Sequence, residues 1–103
     1  MDGKKHGVWE VFDENGQISF KTNFKDGKKD GLWSKYYGNG KLDSKGKWKD
    51  GEQEGVWDFF FYTGELSWKG TYKDGKREGV LKIFNKDGSL NRTETYKNGV
   101  KIK

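Results

Sequence analysis

Apolar and polar positions along this chain recur with a period of 24 residues. Gly7, Gly31, Gly55 and Gly79 open four blocks that carry no insertion or deletion relative to one another. Ring-bearing residues follow in phase, first as Phe12, Tyr36, Phe60 and Phe84, then as Phe24, Trp48, Tyr72 and Tyr96. An aliphatic column, Ile18, Leu42, Leu66 and Leu90, stands between them. Inside each block the pattern alternates with period two, which marks a strand with one dry and one wet face. In the first block Ile18, Phe20, Thr22 and Phe24 form the dry set, and Gln17, Ser19, Lys21, Asn23 and Lys25 the wet one. Asn15-Gly16 is a strong hairpin signal. Asp26-Gly27, with its equivalents Asp50-Gly51, Asp74-Gly75 and Asn98-Gly99, turns the chain into the next block.

This pattern predicts one repeat domain over residues 1–103: a lead-in, 1–6, and repeats 7–30, 31–54, 55–78 and 79–102. The expected fold class is all-β, an elongated antiparallel β-meander or solenoid of four 24-residue β-hairpins with about eight strands. At ~4.8 Å between strands it extends roughly 38 Å. Two registers remain open for the hairpins. A three-residue loop with Gly16 as a bulge pairs Phe12 with Ile18 and sends Val8 and Phe12 to the core. A two-residue Asn-Gly turn places Trp9 and Val11 there instead. Asp13-Glu14-Asn15-Gly16 suits a type I turn followed by a left-handed glycine, which favours the bulged form. In that form Trp9, Trp33 and Trp57 stand on the opposite face, and the first strand is apolar on both sides.

Composition narrows the chemistry. The sequence has no Cys, no Pro and no Ala, with 16 Gly and 17% aromatic residues. Disulfides and thiolate metal sites are excluded, and helices are disfavoured. Net charge is +5, which permits an acidic partner without demanding one. His6 is the only histidine and sits in the lead-in as an exposed turn residue, so no histidine-based triad or metal cluster assembles. The carboxylates Glu10, Asp13, Glu14 and Asp58 lie in turns or vary within their columns, and the glycines lack phosphate-loop spacing. No enzyme, cofactor or metal is expected. Met1–His6 has no apolar run and no stretch is long enough for a membrane helix, so a cytoplasmic location is expected.

These columns resemble the MORN-repeat class, and most closely its bacterial variant, labelled an antitoxin of toxin–antitoxin type. The matching pattern is Gly55-Val56-Trp57, Phe60, Gly64 and Leu66, then Tyr72-Lys73-Asp74-Gly75-Lys76. The resemblance implies a hairpin-repeat fold and an interaction or membrane-associating role. In the fourth copy Leu81 replaces Trp, and Arg92 and Glu94 occupy dry-side positions, as a solvent-facing cap requires.

Two stripes are candidate surfaces. Trp9, Trp33 and Trp57 would form a row about 10 Å apart, an anchor for a protein partner if exposed. If instead each ring covers backbone or a glycine such as Gly46 or Gly70, the row is core. Exposed rings could also stack on carbohydrate. Lys21, Lys45 and Lys69, with Lys25, Lys49, Lys73 and Lys97, lie on the wet face and could meet an anionic membrane surface. Nucleic acid is disfavoured, because no rings interleave with these lysines for base stacking. The expected function is a non-catalytic protein-interaction module, scaffold-like or antitoxin- and immunity-like, with peripheral membrane association as the alternative. A carbohydrate-binding protein or small enzyme ranks third.

Overall fold

A computed structural model describes residues 7–103. The lead-in, 1–6, with its His6, lies outside the described residues. Among the described residues all regular structure is strand, joined in a ten-stranded open sheet. β1 (Gly7–Phe12) pairs with β2 (Ile18–Lys25), and β4 (Gly31–Tyr36) with β5 (Leu42–Lys49). β6 (Glu52–Phe60) pairs with β7 (Leu66–Lys73), and β8 (Lys76–Phe84) with β9 (Leu90–Lys97). Every pairing is antiparallel and follows chain order. The strands beyond the expected eight are the short β3 (Lys28–Lys29), against β2, and β10 (Val100–Lys101), against β9. The molecule measures 48 × 34 × 13 Å, so it is one layer thick.

Turn chemistry follows the sequence closely. Asp26, Asp50, Asp74 and Asn98 all adopt positive φ, between 50° and 53°, and each is followed by a glycine that does the same. Asx residues tolerate this left-handed region better than most, which explains why the column holds only Asp and Asn. The turns also join neighbouring units. The amide of Gly51 donates to the Lys29 carbonyl, that of Gly75 to Gln53, and that of Gly99 to Arg77. Carboxylates of Asp30 and Glu54 accept from the amides of Asp50 and Asp74, and Glu78 accepts from Asn98. Each repeat is thereby pinned to the next at one end of its strands.

The bulged hairpin loop forms as expected, and Phe12 pairs with Ile18. The face assignment is the reverse of the expectation. A second bulge leaves Ser19 unpaired, so that Val11 faces Phe20 and Trp9 faces Thr22. The same slip recurs at Asp43, Ser67 and Asn91. Directly opposed residues share a face, so Trp9, Trp33 and Trp57 join the ring-bearing side. Val8 and Phe12 go to the other side, and the Ile18 column follows Phe12 across the sheet.

Between repeats lies a further irregularity. Lys45 pairs with Asp58 and Lys47 with Glu54, so Gly55, Val56 and Trp57 all sit opposite Gly46. Gly79, Val80 and Leu81 stand likewise opposite Gly70. Gly55 enters this kink at φ +76°, a conformation that costs a side-chain-bearing residue strain. The kink folds the Trp57 indole flat onto Gly46: a methyl group there would lie 2.0 Å from the ring. Leu81 covers Gly70 in the same way, its Cδ1 2.8 Å from the equivalent point. Trp57 is 1% exposed and donates its indole N–H to the Lys47 carbonyl. Around it gather Trp33, Trp48, Phe59 and Tyr72, with ring centroids 5.3 to 6.2 Å away. A single sheet has no second layer to bury against, so its core is made by rings lying on glycine.

The last repeat ends differently. Glu94, at the position of Gly46 and Gly70, accepts from the Tyr96 hydroxyl and pairs with Arg92 and Lys101. The Tyr96 hydrogen bond first, then those from Arg92 and Lys101, holds its carboxyl below the ordinary glutamate value. A group stabilised in its charged form supports the fold above its unfolded pKa and loses that support as pH falls through its folded one. The Ile102 amide, which donates to the Thr95 carbonyl, is therefore expected to lose hydrogen-exchange protection as the pH falls through and below the ordinary glutamate range. Glu94→Gln should flatten that dependence; NMR-detected exchange measures both, and unchanged protection in the parent chain would remove the pin.

Candidate functional site

The two faces of the sheet differ in character. One carries the ring cluster, where the structure places all three sequence-predicted tryptophans. Trp57 is buried beneath its neighbours, Trp33 is half-buried, and Trp9, at the edge strand, is 43% exposed against Phe24. Of the two readings open for this column, the core reading describes Trp57, while Trp9 stays exposed at the edge. The rings lie on the packed face because the Ser19-type bulge shifts the register, and the central ring is sealed over Gly46.

The opposite face carries the lysines. Opposed pairs Glu10–Lys21, Ser34–Lys45 and Asp58–Lys69 form one level across the strands. Lys25, Lys49, Lys73 and Lys97 form a parallel level four residues further along. The sequence-predicted lysines are thus brought together on one surface, all exposed. Ion pairs at 3.7 Å join Lys21 to Glu10 and Lys69 to Asp58, so the first level is partly neutralised and the surface remains basic.

Between the lysine levels runs a row that the favoured hairpin register would have sent to the core, Val8 with its counterparts Leu32, Val56 and Val80. These side chains are 59%, 73%, 51% and 51% exposed. Each is the second residue of its repeat, immediately after the left-handed glycine, and the kink that drops Trp57 onto Gly46 lifts Val56 to the other side. A sequence signal for this existed: the column is aliphatic in all four copies and adjoins the tryptophan column. Both columns cannot share a face, and only the register decides which is buried.

A groove of about 760 Å³ opens on this face. Val8, Leu32 and Val56 line it, with Lys21, Lys45 and Lys47 and a single carboxylate, Asp58. Nearer the hairpin tips, Tyr37 donates its hydroxyl to the Phe60 carbonyl, and its ring meets Tyr62 edge-on at 5.2 Å. Burial, then the charge of Asp43, raises the Tyr37 phenol, which keeps it a donor. The arrangement offers apolar contact flanked by cations. It assembles no nucleophile with a base, and among the described residues no group of three or more His, Cys, Asp or Glu is placed to hold a metal ion. No helix is long and apolar enough to cross a membrane.

Comparison with known proteins bears on this surface. A family model described as a MORN repeat variant matches residues 5–26, 29–50 and 77–98, all in phase with the 24-residue frame. No curated protein matches the chain. MORN repeats generally serve as protein- or membrane-binding modules, consistent with a non-catalytic binding surface. With matches over more than half its length and the hairpin-built open sheet such repeats form, the chain belongs to the MORN repeat variant family.

Proposed function

We propose that the protein is a non-catalytic protein-binding module whose contact surface is the lysine-bearing face. The observation that carries this reading is the exposed aliphatic row, Val8, Leu32, Val56 and Val80, set between two lysine levels. Single exposed aliphatic residues are ordinary on a protein surface, but four in register, with Asn23, Lys47 and Thr71 on the strands between them, form a repeated apolar pattern that suits an interaction site. Leu32→Glu with Val56→Glu changes only exposed side chains, so the sheet should persist. Capture of a partner from the native host should fall at least about tenfold, a loss of ~1.4 kcal/mol. Quantitative affinity purification with circular dichroism as a folding control measures this, and undiminished capture by the folded variant rejects the proposal. The finer role proposed for such a binder is antitoxin-like or immunity-like, masking its partner.

A second reading, peripheral association with an anionic membrane, is favoured by the Lys25, Lys49, Lys73 and Lys97 level. Basic groups near such a surface contribute roughly 1 kcal/mol each, and salt screens the attraction. Flotation with phosphatidylserine vesicles should then show binding at low salt that Lys49→Glu with Lys73→Glu abolishes. Absence of flotation at low salt dismisses this reading.

A further inference from the structure

The dimensions of the lysine-bearing face restrict what can lie along it. Resting on the proposal that this face binds a protein, we infer that its occupant is an acidic segment in polyproline II conformation, with an apolar residue at every third position. Three observations converge. First, the aliphatic row crosses the strands, one residue per repeat, and each repeat advances the sheet by two strands. Neighbouring members of the row are therefore ~9.6 Å apart. A polyproline II chain repeats every three residues, or ~9.3 Å. An extended β-strand presents the same side every ~6.6 Å and falls out of step at once. Seven residues of α-helix advance ~10.5 Å, an error that grows along the groove.

Second, the corridor is narrow. Lys21 and Lys25, like Lys45 and Lys49, are four residues apart on one strand, so the two lysine levels stand roughly 13 Å apart at their α-carbons. Lysine stems reduce that width, and a helix about 10–12 Å across would have to displace them. A polyproline II chain is slimmer. Its three-fold symmetry points one residue of each triplet down at the aliphatic row and leaves the other two beside the lysines.

Third, basic groups outnumber acidic ones in the groove lining. Lys21, Lys45 and Lys47 line it with one carboxylate, Asp58, while Glu10 pairs with Lys21 and Glu54 stands opposite Lys47 beside it, so an acidic segment is favoured over a basic one. The backbone of polyproline II makes no internal hydrogen bonds and is solvated, and an open groove leaves its outward side in water.

Fluorescence anisotropy with a labelled peptide of four Leu-Asp-Pro triplets tests this. The comparison probes are four Leu-Lys-Pro triplets, a peptide of the same twelve residues with its four leucines moved off the three-residue spacing, a helical peptide with leucine at every seventh position among glutamates, and phosphatidylserine vesicles. The Leu-Asp-Pro peptide should bind at least about tenfold more tightly than each comparison peptide, and Leu32→Glu should weaken it by a similar factor. Stronger binding of the helical peptide, equal binding of the lysine peptide, or binding of vesicles without the peptide would overturn the inference. So would peptide binding that Leu32→Glu leaves unchanged. If no peptide binds while Leu32→Glu with Val56→Glu still abolishes partner capture, the inference falls and the binding face stands; if that variant loses nothing, both fall.

Discussion

Trp57→Ala is expected to remove about 3–5 kcal/mol of stability, a large part of what a domain of this size holds. The reason is concentration of the core in one ring. Trp57 is 1% exposed and lies within 6.2 Å, centroid to centroid, of Trp33, Trp48, Phe59 and Tyr72. Its loss leaves a hole in the middle of a single layer, with no second layer to collapse into it. It also strips the Lys47 carbonyl of the indole N–H it accepts. Trp9→Ala is the internal control. That ring belongs to the same column but is 43% exposed at the edge strand, so its removal should cost about 1 kcal/mol. Urea denaturation followed by far-ultraviolet circular dichroism compares the two. Equal costs would mean that the column contributes uniformly and that the centre is not special.

Gly46→Ala should rival it, from the opposite direction. The added methyl would sit 2.0 Å from the Trp57 ring, between a fixed backbone and an indole wedged among four other rings. Overpacking ordinarily costs about 1–3 kcal/mol, and an overlap this deep with a rigid ring belongs at or above the top of that range. Gly70→Ala meets the flexible end of Leu81 at 2.8 Å. A small rotation there accommodates the methyl, so the cost should stay near 1 kcal/mol, partly offset by the lower entropy of alanine in the unfolded chain. The pairing can be tested directly. Trp57→Leu in the Gly46→Ala background reproduces the arrangement of Leu81 over Gly70, and the two changes should couple favourably by about 0.5–3 kcal/mol. Additive costs in the double-mutant cycle would show that ring and glycine do not press on one another.

Much of this architecture was legible in the sequence because it is local. The 24-residue frame, the hairpins, the left-handed Asp and Asn turns and the bulged loop each rest on a few adjacent residues with strong conformational demands. The lysine surface was legible too, since the wet side of each second strand is polar in every copy. What could not be read was which side of the first strand is packed. That depends on one extra residue, Ser19 and its counterparts Asp43, Ser67 and Asn91, being squeezed out of the ladder. A polar residue in a wet column gives no sign of this, and a slip of one residue exchanges the faces. Val8 and Trp9 consequently traded places, and the candidate surface moved from rings to aliphatic side chains. Gly46 and Gly70 were visible as landing sites for rings; the kink at Gly55 and Gly79 that delivers the side chains to them was not.

The turn-to-strand hydrogen bonds that pin each unit to the next make the array behave as a ruler. Every contact that positions a repeat is made to its immediate neighbours, so duplicating residues 55–78 in place would lengthen the groove by one graduation, ~9.6 Å, without altering the others. The Arg92–Glu94–Lys101 lock would still close the same end. The reach of the surface is thus set by a count of repeats and its chemistry by their columns, two quantities that can be changed independently.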